Sequence, residues 1–177
     1  MKRKVGKPIG QEFFNRPTLV VAEELLGQYL CRQIEGETAR HIITEVEAYD
    51  GQEDKACHAH KGKTQRNQVM FGPAGQWYVY LCYGMHWLLN IVTGPEEYPA
   101  AVLFRGLQTT TGPGRLTKCL QINSDQNEKP ALPDSGLWLE ASALNTYKED
   151  ISRTPRIGID YAGSPWVEAP YRFVLKI

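Results

Sequence analysis

The chain carries no excess of either charge: 20 Lys and Arg stand against 20 Asp and Glu over 177 residues. The total alone is therefore poor ground for a polyanion partner. It has no CxxC pair. Cys31, Cys57, Cys82 and Cys119 lie far apart, which argues against a zinc ribbon or a dense disulfide framework and reads as four reduced thiols. No apolar run approaches the length of a membrane span, and the basic opening MKRKVGKPIG is followed by QEFFNRP rather than an apolar stretch. Neither a membrane helix nor a secretory signal is expected, and the cytoplasm is the default location. There is no GxSxG elbow, and GPGRL (112–116) lacks the Lys-Ser/Thr of a phosphate-binding loop, which weakens serine-hydrolase and nucleotide-hydrolase readings. Repeats, low-complexity tracts and a Pro/Gly-rich linker are also missing. The length suits one compact domain over 1–177, with residues 1–12 expected as a flexible basic N-terminus.

What is present is uneven charge. Residues 1–54 hold seven Lys/Arg against ten Asp/Glu, residues 55–124 seven against two, and residues 125–177 six against eight. The middle third is thus the basic one. Within it Asn67 to Pro95 has no charged residue but holds Phe71, Trp77, Tyr78, Tyr80, Tyr83 and Trp87, six of the eighteen aromatics. A basic flank beside an aromatic tract suits a surface that attracts phosphates and stacks bases. It equally suits a basic loop followed by buried core strands.

Apolar spacing predicts a helix over about Pro17 to Gln28, with Gly27 as its stop. Tyr29–Ile34 reads as a strand, EGET as a turn and Ala39–Tyr49 as the hairpin partner. Asp50 to Arg66 is a long polar loop, and long loops in compact domains usually carry function. WYVYLCYGMHWLLNIVT reads as a hairpin with Tyr83 and Gly84 near its tip. The almost wholly apolar AAVLFRGL, Ala100–Leu107, reads as a central strand, and TGPGRLTKCLQI as a short amphipathic helix whose N-terminal amides could receive a phosphate. GLWLE, TPRIGID and YRFVLKI read as short closing strands.

In HIITEVEAYDG (41–51) strict alternation puts Ile43, Glu45, Glu47 and Tyr49 on one side and Thr44, Val46 and Ala48 on the other. Two carboxylates one strand period apart suit acid/base work at a glycosidic carbon; a solvent-facing strand side accounts for them as well. Cys57, His58 and His60 are types that bind zinc, with Glu47 or Asp54 as further ligands, but their spacing matches no established motif. Arg105 interrupts an apolar strand, and a buried guanidinium needs a partner. Glu45 and Glu47 are its natural ones.

RPTLVVAEELLGQYL, TEVEAYDGQEDKACHAHKGKTQRNQVMF, WYVYLCYGMHWLLNIV, AAVLFRGL, GPGRLTKCLQI, RIGIDYAG and YRFVLKI, in that order from about Arg16 onward, resemble the alkyladenine (3-methyladenine) DNA glycosylase family. The combination of E-x-E-A-Y, E-D-x-A-x-H, R-N-x-x-M-F, Y-V-Y-x-x-Y-G-M and L-N-I is far more specific than any one piece. The resemblance implies a DNA-repair hydrolase that removes damaged purines and leaves an abasic site. It also implies an α+β fold: a single mixed domain with a curved antiparallel sheet, surrounding helices and a protruding hairpin that enters the minor groove of double-stranded DNA. Carried over by motif, Glu47 is the general base for the attacking water and Arg105 helps hold that water. Tyr49 stacks on one face of the flipped base, while His58 and Tyr80 pack on the other. Asn90 disfavours the exocyclic amine of normal guanine, and Tyr83 wedges into the vacated stack. The resemblance further implies no metal or organic cofactor, no membrane, a monomer, and a nucleoid-associated cytoplasmic or, in a eukaryote, nuclear setting. Hypoxanthine and ethenoadenine are possible further substrates. A metal-dependent nuclease using Glu45, Glu47, Asp54 and His58, and a non-catalytic module for damaged or single-stranded DNA, are the rivals.

Overall fold

The computed structural model describes residues 6–144 and 146–176 of the 177. The expected hairpin is β1 (Tyr29–Ile34) with β2 (Glu37–Asp50), Tyr29 facing Ile42 and Ile34 facing Glu37. β3 (Trp77–Cys82) and β4 (His86–Val92) form the second hairpin, and β5 (Ala100–Leu107) follows. With β7 (Leu137–Glu140) these run in the antiparallel order β3-β4-β5-β2-β1-β7. β6 (Thr110–Thr111) returns onto β5, β9 (Arg172–Leu175) adds to β2, and β8 (Ile151–Thr154) lies outside β9. This is the expected α+β class, an antiparallel sheet with few helices. β5 is apolar because it is flanked by strands on both sides and buried over most of its length.

The sheet is irregular inside β2. Ile43 faces Leu107, Glu45 faces Gly106 and Val46 faces Phe104, so the register slips twice. Thr44 on β2 and Arg105 on β5 are the unmatched residues, and such bulges bend a strand and re-aim its side chains. This corrects the strict alternation expected for HIITEVEAYDG. Ile43 belongs to the main core with Val46 and Ala48, while the side chains of Glu45, Glu47 and Tyr49 serve the opposite face.

The main core lies under α2 (Thr18–Leu25), which packs on β2 and β5 and buries Val21, Ala22 and Leu25 with Trp77, Phe104 and Phe173. That helix is shorter than the expected Pro17 to Gln28. Leu26 is already extended, Gly27 has φ +79°, and the Gly27 N–H donates to Ile43 O. A left-handed residue of this kind stops a helix, and glycine takes the conformation without strain. Of the N-terminal segment expected to be flexible, residues 1–5 lie outside the described residues, and residues 6–12 are tied down. The N–H groups of Gly6 and Ile9 bond to Ala141 O and Leu139 O, and Ile9 is buried. α1 (Gln11–Phe14) then buries Phe13 and Phe14. α3 (Pro113–Cys119) covers β4 and β5.

TPRIGID does not form the closing strand expected of it; the preceding ISRT does. Pro155 has no N–H for a ladder, and the chain leaves the sheet there to run beneath its second face. That face is roofed by the loop after β2. Cys57, Ala59, Val69, Met70 and Phe71 pack there on Tyr78, Val92 and Ala101. Asn67 ties the loop together, its Nδ2 donating to His58 O (3.0 Å) and Gly62 O (2.9 Å) and its Oδ1 accepting from the Thr64 N–H (2.7 Å). Among the described residues no helix is long and apolar enough to cross a membrane.

Candidate active site

Between this loop, the inner side of the β3–β4 hairpin and residues 157–161 lies a cleft of about 870 Å³. Six of the seven sequence-predicted side chains line it: Tyr49, His58, Tyr80, Tyr83, Asn90 and Arg105. The seventh, Glu47, is fully buried. It stands directly behind the cleft, because Tyr49, Arg105 and Ile157, its three neighbours, belong to the wall.

The sheet explains how these groups meet. At this point β2 is flanked by β5 on one edge and β9 on the other, so each neighbour strand contributes an arginine. Arg105 Nε donates to Glu45 Oε1 at 3.0 Å and stands 3.5 Å from Glu47 Oε1. Arg172 Nε donates to the same Glu45 oxygen at 2.7 Å. Glu45 therefore anchors two guanidiniums and is not a second acid facing the cleft. Gly106 permits this approach, since a Cβ there would sit 3.0 Å from Glu45 Cβ. Glu47 Oε2 accepts from the Tyr49 hydroxyl (2.9 Å) and Oε1 from the Ile157 N–H (2.8 Å).

Burial pushes the Glu47 carboxyl above its ordinary pKa, opposed by the Arg105 charge, the Ile157 N–H, the Tyr49 hydroxyl and the Arg156 charge. Desolvation makes the carboxylate a stronger base, while the fixed donors keep its ionised form attainable.

The hairpin side of the cleft is aromatic. Tyr80 stands 4.5 Å from the His58 ring and 5.2 Å from Tyr78, and His58 Nδ1 is 3.0 Å from the Tyr78 hydroxyl. Burial, with the Arg66 cation beside it, lowers the His58 pKa from its ordinary value and so favours the neutral ring. Asn90 is buried in the floor, its Nδ2 donating to Tyr78 O at 3.1 Å. At the hairpin tip Tyr83 (φ +50°) and Gly84 (φ +67°) make a turn closed by the Met85 N–H on Cys82 O. The Tyr83 ring, 89% exposed, projects from it. The rim is basic, with Lys55, Lys61 and Arg66 lining the opening.

Sequence reading named Asp54 only as a candidate metal ligand and missed Arg156 and the pair the two form behind Tyr49. Asp54 and Arg156 form a bidentate pair (2.5 and 2.9 Å) with both side chains fully buried, and Arg156 Nη1 also donates to Ala48 O at 2.9 Å. Tyr161, 70% exposed at the rim, is pinned by its hydroxyl on Ala56 O. Asp54 lies inside the E-D-x-A-x-H string, but nothing local points to a partner 102 positions on. Among the described residues no three His, Cys, Asp or Glu converge as metal ligands. Instead Asp54 is spent on Arg156 and the Cys57 thiol rests on Pro99 O at 3.7 Å.

Comparison with known proteins identifies the family. A family model described as Methylpurine-DNA glycosylase (MPG) matches residues 12–112 and 107–177. Proteins carrying the name "Putative 3-methyladenine DNA glycosylase" align along almost the whole chain. The one from Legionella pneumophila (strain Lens) is 42% identical, with 98% of this chain and 95% of the relative covered. That from Myxococcus xanthus is 44% identical (94% and 89%), and that from Methanocella arvoryzae 40% (94% and 91%). The chain belongs to the methylpurine-DNA glycosylase family, DNA-repair enzymes that hydrolyse the N-glycosidic bond of a base in DNA.

Proposed function

We propose that this protein, acting as a monomer from the minor-groove side of duplex DNA, turns an alkylated purine such as 3-methyladenine out of the stack into the cleft and hydrolyses its bond to C1′. The observation that carries the reading is Glu47: a fully buried carboxylate fixed by Tyr49, Ile157 and Arg105 at the wall of an aromatic cleft. Extrusion costs a few kcal/mol and costs least for damaged or mispaired nucleotides. Tyr83, at the tip of the exposed hairpin, offsets part of that cost by filling the gap. The base then lies between Tyr49 and the His58–Tyr80 pair. The His58 carbonyl is taken by Asn67, which leaves the His58 N–H for the base edge, and Asn90 crowds the exocyclic amine of an undamaged guanine.

The water oxygen attacks C1′ as the C1′–N bond breaks. The bonding pair leaves with the base, and the water proton passes to Glu47. A methylated purine cation departs as a neutral molecule, so no acid is needed to assist it. Arg105, held by Glu45, orients the water. Neutral lesions such as hypoxanthine and ethenoadenine fit the same aromatic slot as slower substrates.

The deciding assay incubates a duplex carrying one alkylated purine with the protein in EDTA. Free methylated purine should be released and the strand should stay intact until alkali cuts it at the abasic site. Strand cleavage that needs a divalent metal would support a nuclease, and binding without release of base a non-catalytic module; either would overturn the reading. Replacing the wedge, Tyr83→Ser, should leave the fold unchanged because the ring is solvent-exposed, and should weaken capture of a lesion duplex by roughly tenfold, taking a wedge as worth about one to two kcal/mol. A dissociation constant within twofold of the parent would remove Tyr83 from that role.

A further inference from the structure

Tyr49 has two faces, and the second is occupied by a cation. The Arg156 guanidinium carbon lies 4.8 Å from the Tyr49 ring centroid and 5.1 Å from that of Tyr171. Arg156 is fully buried and forms no part of the cleft lining, so it covers the Tyr49 face turned away from the cleft. Its Nη atoms bond to Asp54 and Ala48 O, whereas the buried Nε has no hydrogen-bond partner among the described residues. Part of its charge is thus met only by the two aromatic rings.

We infer that Arg156 is a specificity-determining positioning residue which, from behind Tyr49, lowers the preference of the stacking face for cationic bases over neutral ones. The inference rests on the proposed base-stacking role of Tyr49. A cation is drawn to an aromatic face by the ring's negative quadrupole. A guanidinium on one face draws that density toward itself, and its own charge opposes a second cation on the other. A neutral purine, which stacks by dispersion and area, loses nothing. Asp54, paired through both Nη atoms of the guanidinium, keeps the charge in place. The slot then accepts neutral lesions that a bare tyrosine face would rank far below methylated cations. Arg156 also precedes Ile157, whose N–H holds Glu47, so damage to its packing would slow excision of every lesion together. Only the electrostatic role changes their ratio.

The experiment compares single-turnover excision of a cationic methylated purine and of hypoxanthine, in otherwise identical duplexes. It uses the parent protein, the double variant Asp54→Asn/Arg156→Gln, and Arg156→Lys. The double variant removes both charges while keeping polar side chains at both positions; Arg156→Lys keeps a cation opposite Asp54 without the flat guanidinium. In the double variant the cationic-to-neutral rate ratio should rise by about three- to tenfold, the size of one cation–π contact, whereas Arg156→Lys, which keeps a cation behind the ring, should raise it less. A double-variant ratio within twofold of the parent, even with both rates lowered, or a rise in Arg156→Lys as large as in the double variant, overturns the inference and leaves Arg156 a structural residue. A parent protein that excises neither lesion would instead overturn the functional reading itself.

Discussion

Glu47→Gln is expected to lower single-turnover excision of a methylated purine by about 10² to 10⁴-fold, the usual contribution of a positioned general base, with binding of the lesion duplex unchanged within a few-fold. The amide keeps the shape of the carboxyl and can still accept from the Ile157 N–H or the Tyr49 hydroxyl. It cannot take the proton of the attacking water, and it presents no charge to the developing oxocarbenium. Arg105 would remain on Glu45, so the wall should stay assembled. Excision within tenfold of the parent would show that the base lies elsewhere, and parallel loss of binding would show that the substitution had broken the cleft rather than its chemistry.

Asp54→Ala should cost about 3 to 5 kcal/mol of stability, the range for leaving one partner of a buried ion pair uncompensated. Both side chains are sealed from solvent, and Asp54 also accepts from the Asp50 N–H (3.1 Å) and the Ala56 N–H (3.0 Å), so three segments would lose a shared anchor. For a domain of this size the melting temperature should fall by on the order of 10 °C. Thermal and urea unfolding measure it. Exposed pairs are a useful contrast, since removing Glu97 from its contact with Lys63, both more than half exposed, should change stability by under about 1 kcal/mol. Equal effects at the two sites would contradict the argument from burial.

The strands that carry the site were legible because their signal is local. Ala100–Leu107 is continuously apolar, and the Tyr29–Ile34 strand with its turn and partner reads from alternation and from EGET. The bulges at Thr44 and Arg105 were not legible, because a bulge is a relation between two strands and neither sequence alone records the slip. Alternation therefore misplaced Ile43, though it set Glu47 and Tyr49 on a common face. The ion pair between Glu45 and Arg105 could be anticipated from the cost of a guanidinium in an apolar strand, whereas Arg172 sits in a closing strand with no comparable anomaly. TPRIGID reads as a short closing strand. Pro155 at its head takes it off the sheet, and Ile157 then serves Glu47 with a backbone N–H, which no side-chain motif can announce.

The central claim is that an ionised Glu47, raised in pKa by burial, activates the water. It is tested most directly by the pH dependence of single-turnover excision on a lesion already cationic, whose departure needs no protonation. The active form is the carboxylate, so the rate should be flat at neutral pH and fall as pH drops through an apparent pKa above the ordinary 4.5 of a glutamate, with that limb absent from the residual activity of Glu47→Gln. A rate that stays level to below pH 4.5, or an acid limb that survives in Glu47→Gln, would contradict it.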